Sequence, residues 1–224
     1  VRLNAIRDRW RDASLTALLV VQVIIIFAFA PAVASGLPVP RGALVLLLLV
    51  FMSLTIFMAR GRWTLLAGLG TLAASAVAGV AEGRYPDLRV RLLGEGLTIV
   101  TFAVLCVVVF SAAFGPGRFT AHRIRGAVVL YLNLGLLFAL LHRVVAELAP
   151  GAYLHLPDPS HPAAFRAALD YFSFATLTSV GYGDIVPLHP FARSLATLEG
   201  VVGQLYPPTL LARVVMLELA SREA

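Results

Sequence analysis

The sequence predicts an all-α integral membrane protein: six transmembrane helices, with a short re-entrant helix and an extended, glycine-bearing strand between helices five and six. Three observations predict it. Apolar residues make up 59% of the 224 and charged residues only 13%, with a mean hydropathy of +0.88, well above an ordinary soluble domain. The apolar residues fall in long runs, and crossing about 30 Å of hydrocarbon takes about 20 residues at about 1.5 Å of rise each. Finally, TLTSVGYGDIVP at residues 176–187 interrupts these runs with glycines, where lipid could not satisfy non-helical backbone.

The elements follow in order. In VRLNAIRDRWRD, Val1, Leu3, Ile6 and Trp10 lie near one helical face with arginines around the rest, which reads as an interfacial helix on the inner leaflet or as a frayed, charged end. Five runs are long enough to span: 13–35, 42–59, 63–81, 96–114 and 126–148. A sixth, 191–219, is interrupted by Glu199 and Arg213 but is long enough. Between the fifth and sixth come a loop with Pro150, Pro157, Pro159 and Pro162, an apolar helix over about 163–176, and the quoted strand. That helix is too short to cross, so it enters and leaves on one side. The sequence therefore divides at 1–125, an interfacial helix with four spans, and 126–224, the remainder.

The formal charge of +6 comes entirely from arginine, since the chain has no lysine. The arginines lie between apolar runs, where they orient helices against the membrane surface; this excludes nucleic acid as a partner. Arg2, Arg7, Arg9, Arg11, Arg60, Arg62, Arg118, Arg123, Arg125 and Arg222 mark one side, and Arg41, Arg84, Arg89, Arg91 and Arg166 the other. The positive-inside rule then puts both termini in the cytoplasm and the re-entrant segment toward the outside. A lysine-free composition fits a GC-rich bacterial source and hence a bacterial inner membrane. Cys106 is the only cysteine, so neither a disulfide framework nor a thiolate cluster forms within one chain. No small-residue cleavage site follows the first run, which reads as a retained span. No nucleophile and base are spaced for catalysis, and no cofactor motif appears.

Non-helical backbone at membrane depth survives only when buried in protein or lining a watery path. To turn the carbonyls of Ser179, Val180, Gly181 and Tyr182 toward one axis, alternate residues must take conformations that a β-carbon penalises, and Gly181 and Gly183 have none. A row of carbonyls repeated around an axis replaces the water shell of a cation. On these residues the chain resembles the tetrameric potassium channels, whose selectivity filter usually reads T-T-V-G-Y-G-D where this sequence has T-S-V-G-Y-G-D. The layout of span, loop, short helix, strand and span matches that family over about 126–219. The resemblance implies that Thr178, Ser179, Val180, Gly181, Tyr182 and Gly183 form the filter and its inner entrance. It implies that potassium is held by carbonyls from Ser179 to Tyr182 and by the Ser179 hydroxyl, with Asp184 at the outer mouth. It also implies that Tyr171 and Phe172 on the pore helix brace the filter tyrosine, and that four chains assemble as a homotetramer in the bilayer. Ser179 departs from the usual threonine: the hydroxyl stays, the stiffening methyl goes.

Six spans resemble the voltage-gated branch, yet the fourth, GLTIVTFAVLCVVVFSAAFG, holds no arginine. One charge moved through 100 mV is worth about 2.3 kcal/mol, and steep voltage dependence needs several per subunit. The expected activity is thus passive, potassium-selective conduction that is not steeply voltage-gated, with any nucleotide or calcium control supplied by a separate regulatory partner. The resemblance puts Gly203 at about the family's inner-helix hinge, and Gly200, Pro207 and Pro208 add flexibility or a kink, although the family's proline pair lies about a turn further from the filter; close packing by small residues is the other reading. Glu199 and Arg143 lie inside the outer half of their spans and are expected to pair beside the filter; Glu147 is the competing partner for Arg143. His155, His161 and His189 fall near the outer mouth as solvent-facing residues or as proton sensors. The rival reading is a non-conducting accessory subunit or a potassium transporter component built on the same fold, against which the complete heptad argues.

Overall fold

The computed structural model describes residues 16–37, 70, 73, 74, 77, 87–114 and 121–222. The expected interfacial helix at 1–12 and second span lie outside the described residues, as does nearly all of the third. Among the described residues, three helices are long and apolar enough to cross a membrane: Thr16–Val33, Leu88–Ser111 and Ile124–Leu148.

The chain divides into two compact units, residues 1–70 with 104–132 and residues 71–103 with 133–224. In the first, helix α1 (residues 16–34) holds a π-helical segment, Ile25–Phe29. Its cause is Pro31, whose missing N–H and bulky ring cannot close an α-turn onto Phe27, so the turn before it widens. Leu18 and Gln22, one turn apart, are the buried face, and Arg125 Nη1 donates to Thr16 Oγ1 at 2.6 Å.

Helix α2 (Leu88–Phe114) and helix α3 (Ala121–Leu148) supply residues to both units. Helix α2 begins at Leu88 rather than at 96, so Arg89 and Arg91 sit in its first turn; from 92 to 114 it carries no arginine. Helix α3 ends at Leu148, where Pro150 denies the next donor and Gly151 takes φ +80°, a common way to stop a helix.

In the second unit, strand β1 (Tyr153–Leu154) pairs antiparallel with strand β2 (Val186–Pro187), with Tyr153 opposite Pro187 and Leu154 opposite Val186. Between them lies helix α4 (Pro162–Leu177), which opens on a proline whose missing donor costs nothing in the first turn. Its buried residues, Phe165, Leu169, Phe172, Ser173 and Leu177, follow the helical period and make one face. Helix α5 (Pro190–Arg222) runs 33 residues and packs against α4. The core around them joins Ala152, Tyr153, Phe172, Ile185 and Ala192. The short β pairing ties the approach to α4 to the segment leaving the glycine strand, so both ends of the loop are held together.

Candidate functional site

Helix α4 stops in a Schellman turn. Ser179 N–H donates to the Thr176 carbonyl and Val180 N–H to the Ala175 carbonyl, each at 2.9 Å, while Gly181 N–H also reaches Ala175 at 3.1 Å. The Thr178 hydroxyl turns back to the Phe174 carbonyl at 2.6 Å. These bonds satisfy the amides that lead into the strand and leave the backbone hanging from the helix end. Left-handed backbone then recurs at every second residue: Ser179 at φ 59°, Gly181 at 53° and Gly183 at 77°, with Val180 and Tyr182 outside that region. Sequence reasoning anticipates the glycines but not Ser179. It is left-handed because it occupies the position after the helix cap, usually glycine, and an L-residue there costs about 1–2 kcal/mol. Its hydroxyl accepts a hydrogen bond from Gln204 Nε2 at 2.6 Å.

On the single chain Val180 and Tyr182 are 53% and 71% exposed. The Tyr182 ring stacks on Tyr171, with centroids 6.0 Å apart and planes 11° from parallel. Phe172 does not join them. It is one residue, and so about 100° of helix rotation, further round α4, and it meets His142 and Tyr153 edge-on at 5.0 and 5.5 Å. Asp184 Oδ1 accepts the following N–H, from Ile185, at 3.1 Å. The His155 ring lies 3.1 Å from the Asp184 carbonyl, a bond that needs the proton on Nδ1.

A fully buried polar chain joins the helices to β1. His142 on α3, Ser173 on α4 and Glu199 on α5 have no exposed surface, and Tyr153 on β1 is nearly as deep. The Tyr153 hydroxyl is 2.6 Å from His142 Nδ1, and His142 Nε2 is 2.9 Å from Glu199 Oε2. In the tautomer with the proton on Nε2, the ring donates to Glu199 and its Nδ1 accepts from Tyr153. Burial first, and the Glu199 charge second, push the Tyr153 phenol above its usual range, which keeps it a donor. The Ser173 hydroxyl has two acceptors for its one proton, Glu199 Oε1 and the Gly135 carbonyl, the latter at 2.7 Å. Three helices and a strand are thus tied through one carboxylate.

This arrangement corrects the expected pairing of Arg143 with Glu199. Arg143 Nη2 bonds Asp170 Oδ1 at 2.5 Å, and Glu199 takes His142. Neighbouring residues on a helix face directions about 100° apart, so only one of His142 and Arg143 can meet Glu199. Sequence reasoning also passed over Glu95, which is buried and whose electrostatic neighbours are Arg143, Arg166, Glu147 and Asp170. An acid just before an apolar run was the available signal.

Helix α5 continues through Pro207 and Pro208. Each proline lacks the N–H that would close the turn four residues back, so the carbonyls of Gly203 and Gln204 lose their ladder donors. The two glycines of this helix differ. A β-carbon on Gly200 would meet nothing, whereas one on Gly203 would overlap the Leu177 carbonyl at the end of α4. Gly203→Ala is therefore expected to push α4 and α5 apart, costing about 3 kcal/mol or more per chain, while Gly200→Ala should be tolerated. Thermal stability of the detergent-solubilised protein checks this contrast; equal melting temperatures for the two variants would refute it.

Residues 158–218 match the family model described as ion channel. Over 76 residues the chain is 38% identical to the inward rectifier potassium channel Kirbac3.1 of Paramagnetospirillum magnetotacticum, covering 34% of this chain and 23% of the relative. Over residues 158–218 the chain is thus similar to an ion-channel domain. It is also 33% identical over 82 residues to protein LctB of Geobacillus stearothermophilus, covering 35% of this chain and 59% of that one. The chain spans less than two thirds of the length of either relative. No solved structure matches. The channel domain takes in α4, the glycine strand, β2 and most of α5. Its buried brace crosses the domain's edge, because Ser173 and Glu199 lie inside the matched stretch and His142 and Tyr153 before it.

Proposed function

We propose that four copies of this chain form a potassium-selective pore, with residues 126–224 as the pore domain and 1–125 as a peripheral helical part. The observation that carries the reading is the alternation of left-handed residues at 179, 181 and 183 in S-V-G-Y-G-D, inside an ion-channel domain. In a tetramer, carbonyls from Ser179 to Tyr182 and the Ser179 hydroxyl take the place of the ion's water shell. One strand cannot enclose an ion, so a closed ring of copies is required. The C-terminal end of α4, with its partial negative charge, favours a cation near the entrance. Asp184 stands at the outer mouth, Tyr171 stacks on Tyr182, and Gly200, Gly203, Pro207 and Pro208 are the places where α5 can bend. Potassium is favoured over sodium by the complete V-G-Y-G and by the name of the inward rectifier relative.

Conduction in this reading is passive and weakly voltage-dependent, since α2 offers no arginine across 92–114 and each absent charge forgoes about 2.3 kcal/mol per 100 mV. The chain sits in the membrane with both termini in the cytoplasm. The test is the reversal potential of purified protein in planar bilayers under opposing potassium and sodium gradients. Reversal near the potassium equilibrium value is expected. Reversal near zero would refute selectivity, and an assembled tetramer that passes no current at any voltage, pH or tension would favour a non-conducting accessory subunit.

A further inference from the structure

Gln204 stands one residue past the glycine that lets α5 touch the end of α4. Its side-chain amide donates to the Ser179 hydroxyl at 2.6 Å. Three features make this contact more than incidental surface bonding. Ser179 is a non-glycine residue held left-handed, φ 59°, in a position that favours relaxation to other backbone shapes. It lacks the second substituent on Cβ that would restrict the hydroxyl to fewer rotamers. A threonine would supply that stiffness, but a β-branched side chain fits the left-handed region worse still. The sequence therefore gives up internal stiffness at Ser179, and the amide of Gln204 fixes the hydroxyl from outside.

The other side of the contact is equally defined. Pro208 cannot donate to the Gln204 carbonyl, nor Pro207 to that of Gly203, so the α5 backbone is loosened just where Gln204 sits. Contact with Ser179, together with the close approach of Gly203 to Leu177, holds that turn against the strand. A hydroxyl has two acceptor sites and one proton. Accepting from Gln204 occupies one site and leaves the other free for a cation, with the rotamer set.

We propose that Gln204 is a positioning residue for ion selection: its amide orients the Ser179 hydroxyl so that this oxygen is presented to the permeant ion at the inner end of the strand. The inference rests on the filter reading of residues 178–183. It assigns to α5 a direct part in selectivity, separate from any bending at its prolines.

The experiment is a double-mutant cycle on the full chain reconstituted in bilayers, reading the potassium-to-sodium permeability ratio from reversal potentials. Gln204→Met keeps length and removes the donor; Ser179→Ala removes the acceptor. Losing one such hydrogen bond corresponds to about a fivefold to tenfold effect, so Q204M is expected to lower the ratio by about that factor, with tetramers intact by size-exclusion chromatography. S179A is expected to lower it too, and Q204M added to S179A should lower it no further. Should Q204M fail to assemble, Q204A serves in its place, because it removes the same donor without burying a new group. An unchanged ratio in Q204M, or additive losses in the double variant, would overturn the assignment while leaving the filter reading intact. A wild-type protein that passes sodium as readily as potassium would overturn both.

Discussion

Replacing Gly181 or Gly183 with alanine is expected to abolish current while the tetramer still assembles. The two glycines hold φ 53° and 77°, and a β-carbon at either would meet nothing within 4 Å on its own chain. The penalty is therefore conformational rather than a collision. At about 1–2 kcal/mol per residue, and about 4–8 kcal/mol when all four chains must adopt the shape at once, the conducting backbone would become rarer by about a thousandfold or more. Gly151 supplies the control, because it is also left-handed, at φ 80°, with open space around it, and lies in the loop after α3. Gly151→Ala should carry a similar local strain and still conduct. Potassium flux from liposomes, normalised to assembled tetramer, distinguishes them. Flux in G181A within a few-fold of wild type would remove the filter from this segment.

Those glycines were legible in the sequence because their requirement is local: a short polar interruption at membrane depth has few uses for φ above zero. Helices α4 and α5 were legible for a related reason, since length and hydrophobic period set them without reference to neighbours. The buried brace was not. His142 sits in an apolar run beside Arg143, and charge alone drew attention to the arginine. Which of two adjacent residues meets Glu199 depends on how α3 is rotated against α5, and a single sequence does not fix that angle. Ser173 was hidden in the same way, since its place on the buried face of α4 reads as core packing. Ser179 illustrates a different limit: its left-handed backbone comes from the Schellman turn ending α4, so where the helix stops decides it. Gln204 could have been noticed as a polar residue in an apolar helix, but its partner is 25 residues away in sequence.

The brace itself yields the other large effect. Glu199→Leu is expected to destabilise each chain by about 2–6 kcal/mol, because it strands two buried polar groups, the His142 Nε2–H and the Ser173 hydroxyl, at about 1–3 kcal/mol each. Ser173 keeps the Gly135 carbonyl as an acceptor, so its share lies toward the lower end, and His142 should dominate. Glu199→Gln keeps the shape, offers a carbonyl to His142 and an amide to Ser173, and should lose little. The decisive variant is His142→Leu combined with Glu199→Leu. Removing both members of a buried pair leaves no unmet donor between them, so in a Tyr153→Phe background, which spares the hydroxyl that would lose its His142 acceptor, the double variant is expected to recover part of the stability that E199L loses. Tetramer melting in detergent, followed by size-exclusion chromatography after heating, reads all three. If E199L melts with wild type, the carboxylate does not hold the helices together. If the double variant instead loses the sum of two full penalties, His142 and Glu199 act separately and the 2.9 Å contact between them contributes nothing to the fold. Recovery would mean that α4 is pinned between α3 and α5 by a hydrogen-bonded clamp, with Tyr153 bonding the ring of His142 at its other nitrogen.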